Sequence, residues 1–329
     1  MTKIIVGFGE ALVDVLPSGE VVGGAPLNFA VRAAELAQPL GWSAALISRI
    51  GSDERGQKIF RHLLQTSLDT SAIQVDGTHP TGFVDVTLNH GQPSYVIGER
   101  VAWDHIAPDD HCLNLSRQAA ALCYGTLAQR TTQTIETLTL CLAAADHAVK
   151  VFDINLRRPY PPIELIETCL KCADVLKCNV EELLLLADWL GLQEWNERDR
   201  NGTQPQTQRS TASMNPARNI ATQLQARFNL SGVFWTQGDQ GCVLQRGSSI
   251  TTAEVPKVPR APDADAVGAG DAAAAALAIG LVANWPDDKI VTAANLCGAL
   301  AASQRGATTP FPEDFLKVLL RDQRDSLGI

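Results

Sequence analysis

The chain has 329 residues, 45% hydrophobic and 19% charged, with a formal net charge of −9. That length supports a substantial buried core, and the composition excludes a disordered chain. Both signs of charge are spread along the sequence without a basic block, which excludes the positive footprint of a nucleic-acid binder; a small anion held by a few local donors stays within reach.

In chain order, apolar runs of strand character are predicted over 4–8, 43–48, 121–124, 149–154, 175–178 and 233–236. Helical patterns fall between them over 26–37, 56–65, 131–145 and 162–172. This alternation predicts crossover units and a mainly parallel sheet covered by helices on both faces. Two β-rich segments, 81–88 and 93–97, are joined by Asn89-His90-Gly91-Gln92, a hairpin signal. With residues 12–24 they are expected to form a small β lid over one end of the sheet, able to exclude water when closed. The segment 194–218 is polar and lacks an apolar period, which predicts an exposed insertion. The N-terminus lacks the features of a secretory leader, and the longest apolar run, 272–283, is too short to span a bilayer. Eight cysteines at irregular spacings, Cys169 and Cys172 among them, read as structural thiols in a reducing compartment. A cytoplasmic protein without a membrane partner is expected.

The segment richest in chemistry is Asp265-Ala266-Val267-Gly268-Ala269-Gly270-Asp271, which leads into the apolar helix pattern. Unpaired N–H groups at such a helix start, approached closely because glycine has no Cβ, form an anion hole. Asp271 stands at its entrance as a candidate general base, with the helix dipole expected to lower its pKa. An ordinary glycine turn with a capping Asp is the plainer reading of this segment alone. A second glycine-rich stretch, Gly23-Gly24-Ala25-Pro26-Leu27-Asn28, also opens a helix. Asp14 and Asn28 there offer a carboxylate and an amide to the hydroxyl groups of a sugar.

Together, these two glycine motifs near opposite ends of the chain resemble the two signatures of the ribokinase-like (PfkB) carbohydrate kinases. The opening Gly9-Glu10-Ala11-Leu12-Val13-Asp14 and the run Asp153-Ile154-Asn155-Leu156-Arg157 resemble the fructokinase branch. The resemblance covers nearly the whole chain. It implies a single α/β domain over 1–329, a three-layer ribokinase-like sandwich with a mainly parallel central sheet and lid segments near 11–24 and 80–103. It also implies transfer of the γ-phosphoryl group of ATP to a sugar hydroxyl, fructose first, with ribose, a 2-keto-3-deoxy acid or a nucleoside as alternatives.

Carried over by position, Asp14, Gly23, Gly24 and Asn28 bind sugar, and Asp271 is the base beside the anion hole of Gly268, Ala269 and Gly270. Arg157 neutralises phosphate charge. Asn179 and Glu182 match an Asn-x-x-Glu motif that organises Mg²⁺ through water. Thr236, Gly238 and Gly241 form a nucleotide-binding turn, and Asn295 lines the adenine pocket. Asp265 lies where many family members bind K⁺. The chain departs from the family at Ala266 and Val267, where hydroxyl side chains are usual, and at Ala273, where an aromatic is common. These departures put the K⁺ site in doubt and support, as a second reading, a non-catalytic relative serving as scaffold. The lid edge is the expected place for a homodimer.

Other signals are weaker. Gly7-Phe8-Gly9 lacks the third glycine of a dinucleotide fingerprint, and Gly51-Ser52-Asp53-Glu54-Arg55-Gly56 lacks the ending of a phosphate loop and reads as a helix cap.

Overall fold

The computed structural model describes residues 2–17, 19–89, 92–192 and 214–312. Thirteen strands and nine α-helices are assigned among them. Strands β1 (Ile4–Phe8), β2 (Leu12–Leu16) and β3 (Gly19–Gly23) lead into α1 (Ala25–Ala37), followed by β4 (Ser43–Gly51), α2 (Glu54–Leu63) and β5 (Ile73–Asp76). Next come β6 (Gly82–Asn89), β7 (Gln92–Ile97), α3 (Asp110–Gln118), β8 (Ala119–Tyr124), α4 (Thr132–Ala144) and β9 (Val149–Asp153). The chain continues through α5 (Ile163–Cys172), β10 (Val175–Asn179), α6 (Val180–Trp189), α7 (Met214–Phe228) and β11 (Gly232–Thr236). The hairpin β12 (Cys242–Arg246) and β13 (Ser249–Thr252) precedes α8 (Ala269–Val282) and α9 (Asp287–Ala301).

Nine strands form one sheet in the order β13-β12-β11-β10-β9-β8-β1-β4-β5. Pairing is parallel from β5 to β11 and antiparallel across β11–β12 and β12–β13. Alternate side chains leave opposite faces of a strand, and two cores result. Ile5, Val175 and Phe234 pack toward α1, α8 and α9, whereas Val6, Leu176, Val233 and Trp235 pack toward α3 to α7. The expected three-layer sandwich with a mainly parallel sheet is therefore present. The α8 helix is apolar all round and nearly fully buried from Asp271 to Val282, as a central core helix must be.

The lid is a separate four-stranded sheet, β3-β2-β6-β7. Two antiparallel hairpins are joined through a parallel β2–β6 pair, with Leu12 opposite Gly82. The predicted turn residues 90–91 lie outside the described residues. So does 194–213 of the predicted insertion, while 214–218 form the start of α7 rather than an irregular segment. Asp53 caps α2, its Oδ1 accepting from the Gly56 N–H at 2.9 Å, as expected of a structural turn. All eight cysteines are free thiols; Cys169 is buried and Cys172 exposed. No helix among the described residues is long and apolar enough to cross a membrane.

Candidate active site

In a parallel sheet the carboxyl ends of the strands share one edge, and ligands gather there. Here β1, β8, β9, β10 and β11 deliver Glu10, Thr126, Asp153, Lys177, Asn179 and Thr236 to one cavity of about 1180 Å³. Lid residues Asp14 and Val84 and the start of α8 close its other sides.

The two glycine motifs meet in this cavity. Gly24 has φ 110°, and a Cβ there would come within 2.5 Å of the Glu10 carbonyl oxygen, so only glycine allows this close approach. It places Asn28 in the first turns of α1, where Nδ2 donates to Asp271 Oδ2 at 2.8 Å. The other Asn28 amide atom, Oδ1, is buried without a partner among the described residues. A substrate hydroxyl would relieve the cost of leaving that acceptor unmade. No donor among the described residues reaches Asp271 Oδ1.

Gly268 starts α8 with φ 78°, and no side chain caps the helix. The Ala269 N–H makes a long 3.3 Å bond to the Ala266 carbonyl, while the Gly270 N–H has no acceptor among the described residues. Gly270 is thus the freer donor of the expected anion hole. The pKa expectation for Asp271 is overturned. Burial drives it up to about 6, and Lys177, the Asn28 hydrogen bond and Arg157 only partly offset that rise. Desolvation outweighs the helix dipole, leaving a stronger base than an ordinary carboxylate.

Sequence reasoning assigned no role to Lys177 or Asp153, yet they form the floor of the site. They are register partners on β10 and β9, and Lys177 Nζ donates to both Asp153 oxygens at 3.0 and 2.8 Å. A Cβ on Gly270 would lie 3.2 Å from the same ammonium, so this charge sits against the anion hole. Burial pushes the Lys177 pKa down, but Asp153 and Asp271 more than reverse it, and the ammonium stays charged. The available signal was a charge on a largely apolar strand, Asp153 at the end of β9 and Lys177 in the middle of β10. Glu10 was also unassigned; burial pushes it up to about 7 despite the nearby Arg157 charge.

The remaining predicted residues divide by what their polar atoms already do. Asp14 faces the cavity with its carboxylate against Gly23, where a Cβ would meet Oδ2 at 2.6 Å. Arg157 is exposed and folds over its own loop, donating to Asn155 Oδ1 at 2.9 Å and to the Leu156 carbonyl at 3.0 Å. Asn179 and Glu182 form a capping box at the start of α6. Asn179 Oδ1 accepts the Glu182 N–H, and Glu182 Oε2 accepts the Asn179 N–H, both at 2.8 Å. Glu182 Oε1 accepts the Leu156 N–H at 2.8 Å, so both carboxylate oxygens are engaged by backbone. Thr236 lines the cavity, while Gly238 and Gly241, with φ 63° and 87°, shape the turn beyond it. Asn295 supports that turn from below. Its Oδ1 accepts the Cys242 N–H and its Nδ2 donates to the Ala253 carbonyl, both at 2.8 Å, so the amide is a structural clip rather than a free adenine contact.

Residues 12–314 match the model of the pfkB family carbohydrate kinases. The chain belongs to this family. The kinase is 28% identical over 325 residues to a fructokinase of Klebsiella pneumoniae, covering 93% of this chain and 95% of that protein. Its fold is similar to that of a Pyrococcus horikoshii sugar kinase, with TM-score 0.76, 26% identity and 96% and 97% of the two chains covered. A Vibrio cholerae fructokinase solved with fructose, ADP and a potassium ion shares the fold at TM-score 0.71 and 23% identity, over 97% and 98% of the chains. The kinase is a phosphotransferase acting on a sugar hydroxyl.

Proposed function

We propose that the kinase moves the γ-phosphoryl group of ATP onto a hydroxyl of fructose, with Asp271 as general base. The observation that carries this reading is the 2.8 Å bond from Asn28 to Asp271, which joins the hydroxyl-binding motif to the helix-start anion hole. Asp14, the Gly23–Gly24 backbone and the unpartnered Asn28 Oδ1 would hold the sugar with one hydroxyl at Asp271 Oδ1. Asp271 takes the proton of that hydroxyl as its oxygen attacks, and a base held near neutral pKa suits the task. The Gly270 N–H and Lys177 Nζ face the charge that develops on the transferring group, fixed in place before reaction. Arg157 stands at the cavity mouth as a further cation. Thr236, Gly238 and Gly241 form the nucleotide side, with Asn295 holding the turn in shape.

No group of three or more His, Cys, Asp or Glu that could hold a metal occurs among the described residues. Mg²⁺ fits such a cavity by binding phosphate and water while touching few carboxylates. Asp153, Asn179 and the remaining lone pairs of Glu182 are the groups that would orient its waters, and the ion would neutralise phosphate charge. The free thiols support a reducing, cytoplasmic setting. β7 is an outer strand of the lid with Val96 exposed, the edge at which a second chain could pair.

ADP release measured over fructose, ribose, 2-keto-3-deoxygluconate and a nucleoside tests the proposal. The highest kcat/KM is expected with fructose. A different best sugar replaces the substrate, and silence with every sugar despite ATP binding supports the non-catalytic alternative.

A further inference from the structure

A buried guanidinium holds one wall of the anion hole. Arg32 lies one turn beyond Asn28 on α1 and has no exposed surface. Its Nε and Nη2 both donate to the Ala307 carbonyl, at 3.1 and 2.8 Å. Nη1 donates to the Thr309 carbonyl and to Glu35 Oε2, both at 2.8 Å. Four of the five N–H groups a guanidinium carries are therefore in use, and its Cζ lies 3.9 Å from the Phe311 ring centre. Ala307 in turn presses on the helix start, since a Cβ on Gly268 would come within 2.7 Å of Ala307 Cα. Asp265 ties the same loop from the other side. Its Oδ2 accepts the Gly306 N–H at 3.3 Å and its Oδ1 the Val267 N–H at 3.1 Å.

These contacts bear on the K⁺ site expected near Asp265. An alkali cation needs several oxygens with free lone pairs. Here each Asp265 oxygen already accepts one N–H bond, and the Ala307 carbonyl has both lone pairs taken by N–H groups of a fixed cation. A second positive charge beside the guanidinium would also be repelled. The residues do not fit K⁺.

We propose that Arg32 is a built-in cation, a positioning residue that holds loop 305–309 against Gly268, and that turnover needs no monovalent metal. The proposal rests on the assignment of Gly268–Gly270 as the anion hole. Unlike a dissociable ion, a tethered guanidinium is present in every molecule at any salt composition. Glu35 at 2.8 Å offsets part of the cost of burying it.

The test compares KCl, NaCl and choline chloride at constant ionic strength. Wild-type kcat should agree within about twofold among the three salts, and stimulation by K⁺ of about tenfold or more overturns the proposal. Arg32→Ala should lose about tenfold or more in kcat with a smaller change in the KM for ATP, and millimolar guanidinium should restore part of the loss. A folded Arg32→Ala enzyme with unchanged kcat, or one that guanidinium does not rescue, refutes the role. Where that variant fails to fold, the wild-type salt series decides alone. Melting of the wild type in K⁺ against choline needs no substrate: a K⁺-specific rise above about 2 °C contradicts the proposal. This arm survives failure of the sugar assignment.

Discussion

The first turns of α8 and α6 face the same cavity, and each presents a buried carboxylate. They differ in what the backbone does with it. At α6 the helix is capped, and Glu182 has both oxygens on N–H groups of Asn179 and Leu156. At α8 the helix begins on a bare glycine, and Asp271 has only Oδ2 engaged, by Asn28. A capped start is stable and chemically quiet, whereas an uncapped one keeps donors and a basic oxygen for the substrate.

Substitutions that exchange these properties should have graded effects. Asp271→Asn keeps an acceptor for Asn28 but removes the base, so kcat should fall about 10³-fold in the coupled assay. Because burial raises the Asp271 pKa to about 6, the folded state binds this proton more tightly than the unfolded chain. Its ionisation therefore costs stability as pH rises from the ordinary carboxylate range through about 6. The same variant should be more stable than wild type at pH 8, by on the order of 1–3 kcal/mol in urea unfolding; a less stable variant would contradict the pKa assignment.

Next in size is Lys177→Met. Leaving Asp153 buried and unpaired should cost about 3–5 kcal/mol in urea unfolding. Adding Asp153→Asn should restore most of that stability while kcat stays about 10²-fold low, the ammonium beside Gly270 being absent. Recovery of rate together with stability would make the pair purely structural. The smallest effect belongs to Glu182→Gln. Gln keeps one acceptor oxygen, so either the Asn179 or the Leu156 N–H loses its partner, which should lower stability by about 1–2 kcal/mol. The variant's kcat should change less than about tenfold, because the Gln carbonyl keeps lone pairs for the waters of the metal, and a larger loss would show that the charge of Glu182 is needed there.

Much of this contrast was legible before the structure. The glycines of both motifs mark places where backbone must approach a ligand, and Asp271 and Asn28 follow from them. The parallel strands other than β5 stood out as short apolar runs. Two of the missed elements lie where no loop separates neighbours: α3 passes directly into β8, and β10 into α6, so no change in composition marks the boundary. Lys177, Asp153 and Arg32 were invisible as site residues because their meaning depends on register and on contacts far along the chain. Arg32 and the Ala307 carbonyl are 275 residues apart. The sign of the Asp271 shift was misjudged for a related reason, since the local sequence displays the helix dipole but not the depth of burial.

Burial raises the pKa of four carboxyl groups in the cavity, Asp14, Glu182, Asp271 to about 6 and Glu10 to about 7, and Asp271 is assigned the proton with Glu10 as its rival. The pH dependence of kcat, measured from pH 5 to 9 for wild type and Glu10→Gln, separates them. The rate should rise through about pH 6 and then level off in both proteins, because Asp271 must be ionised to act. A limb that disappears in Glu10→Gln would give the base to Glu10 and contradict the account.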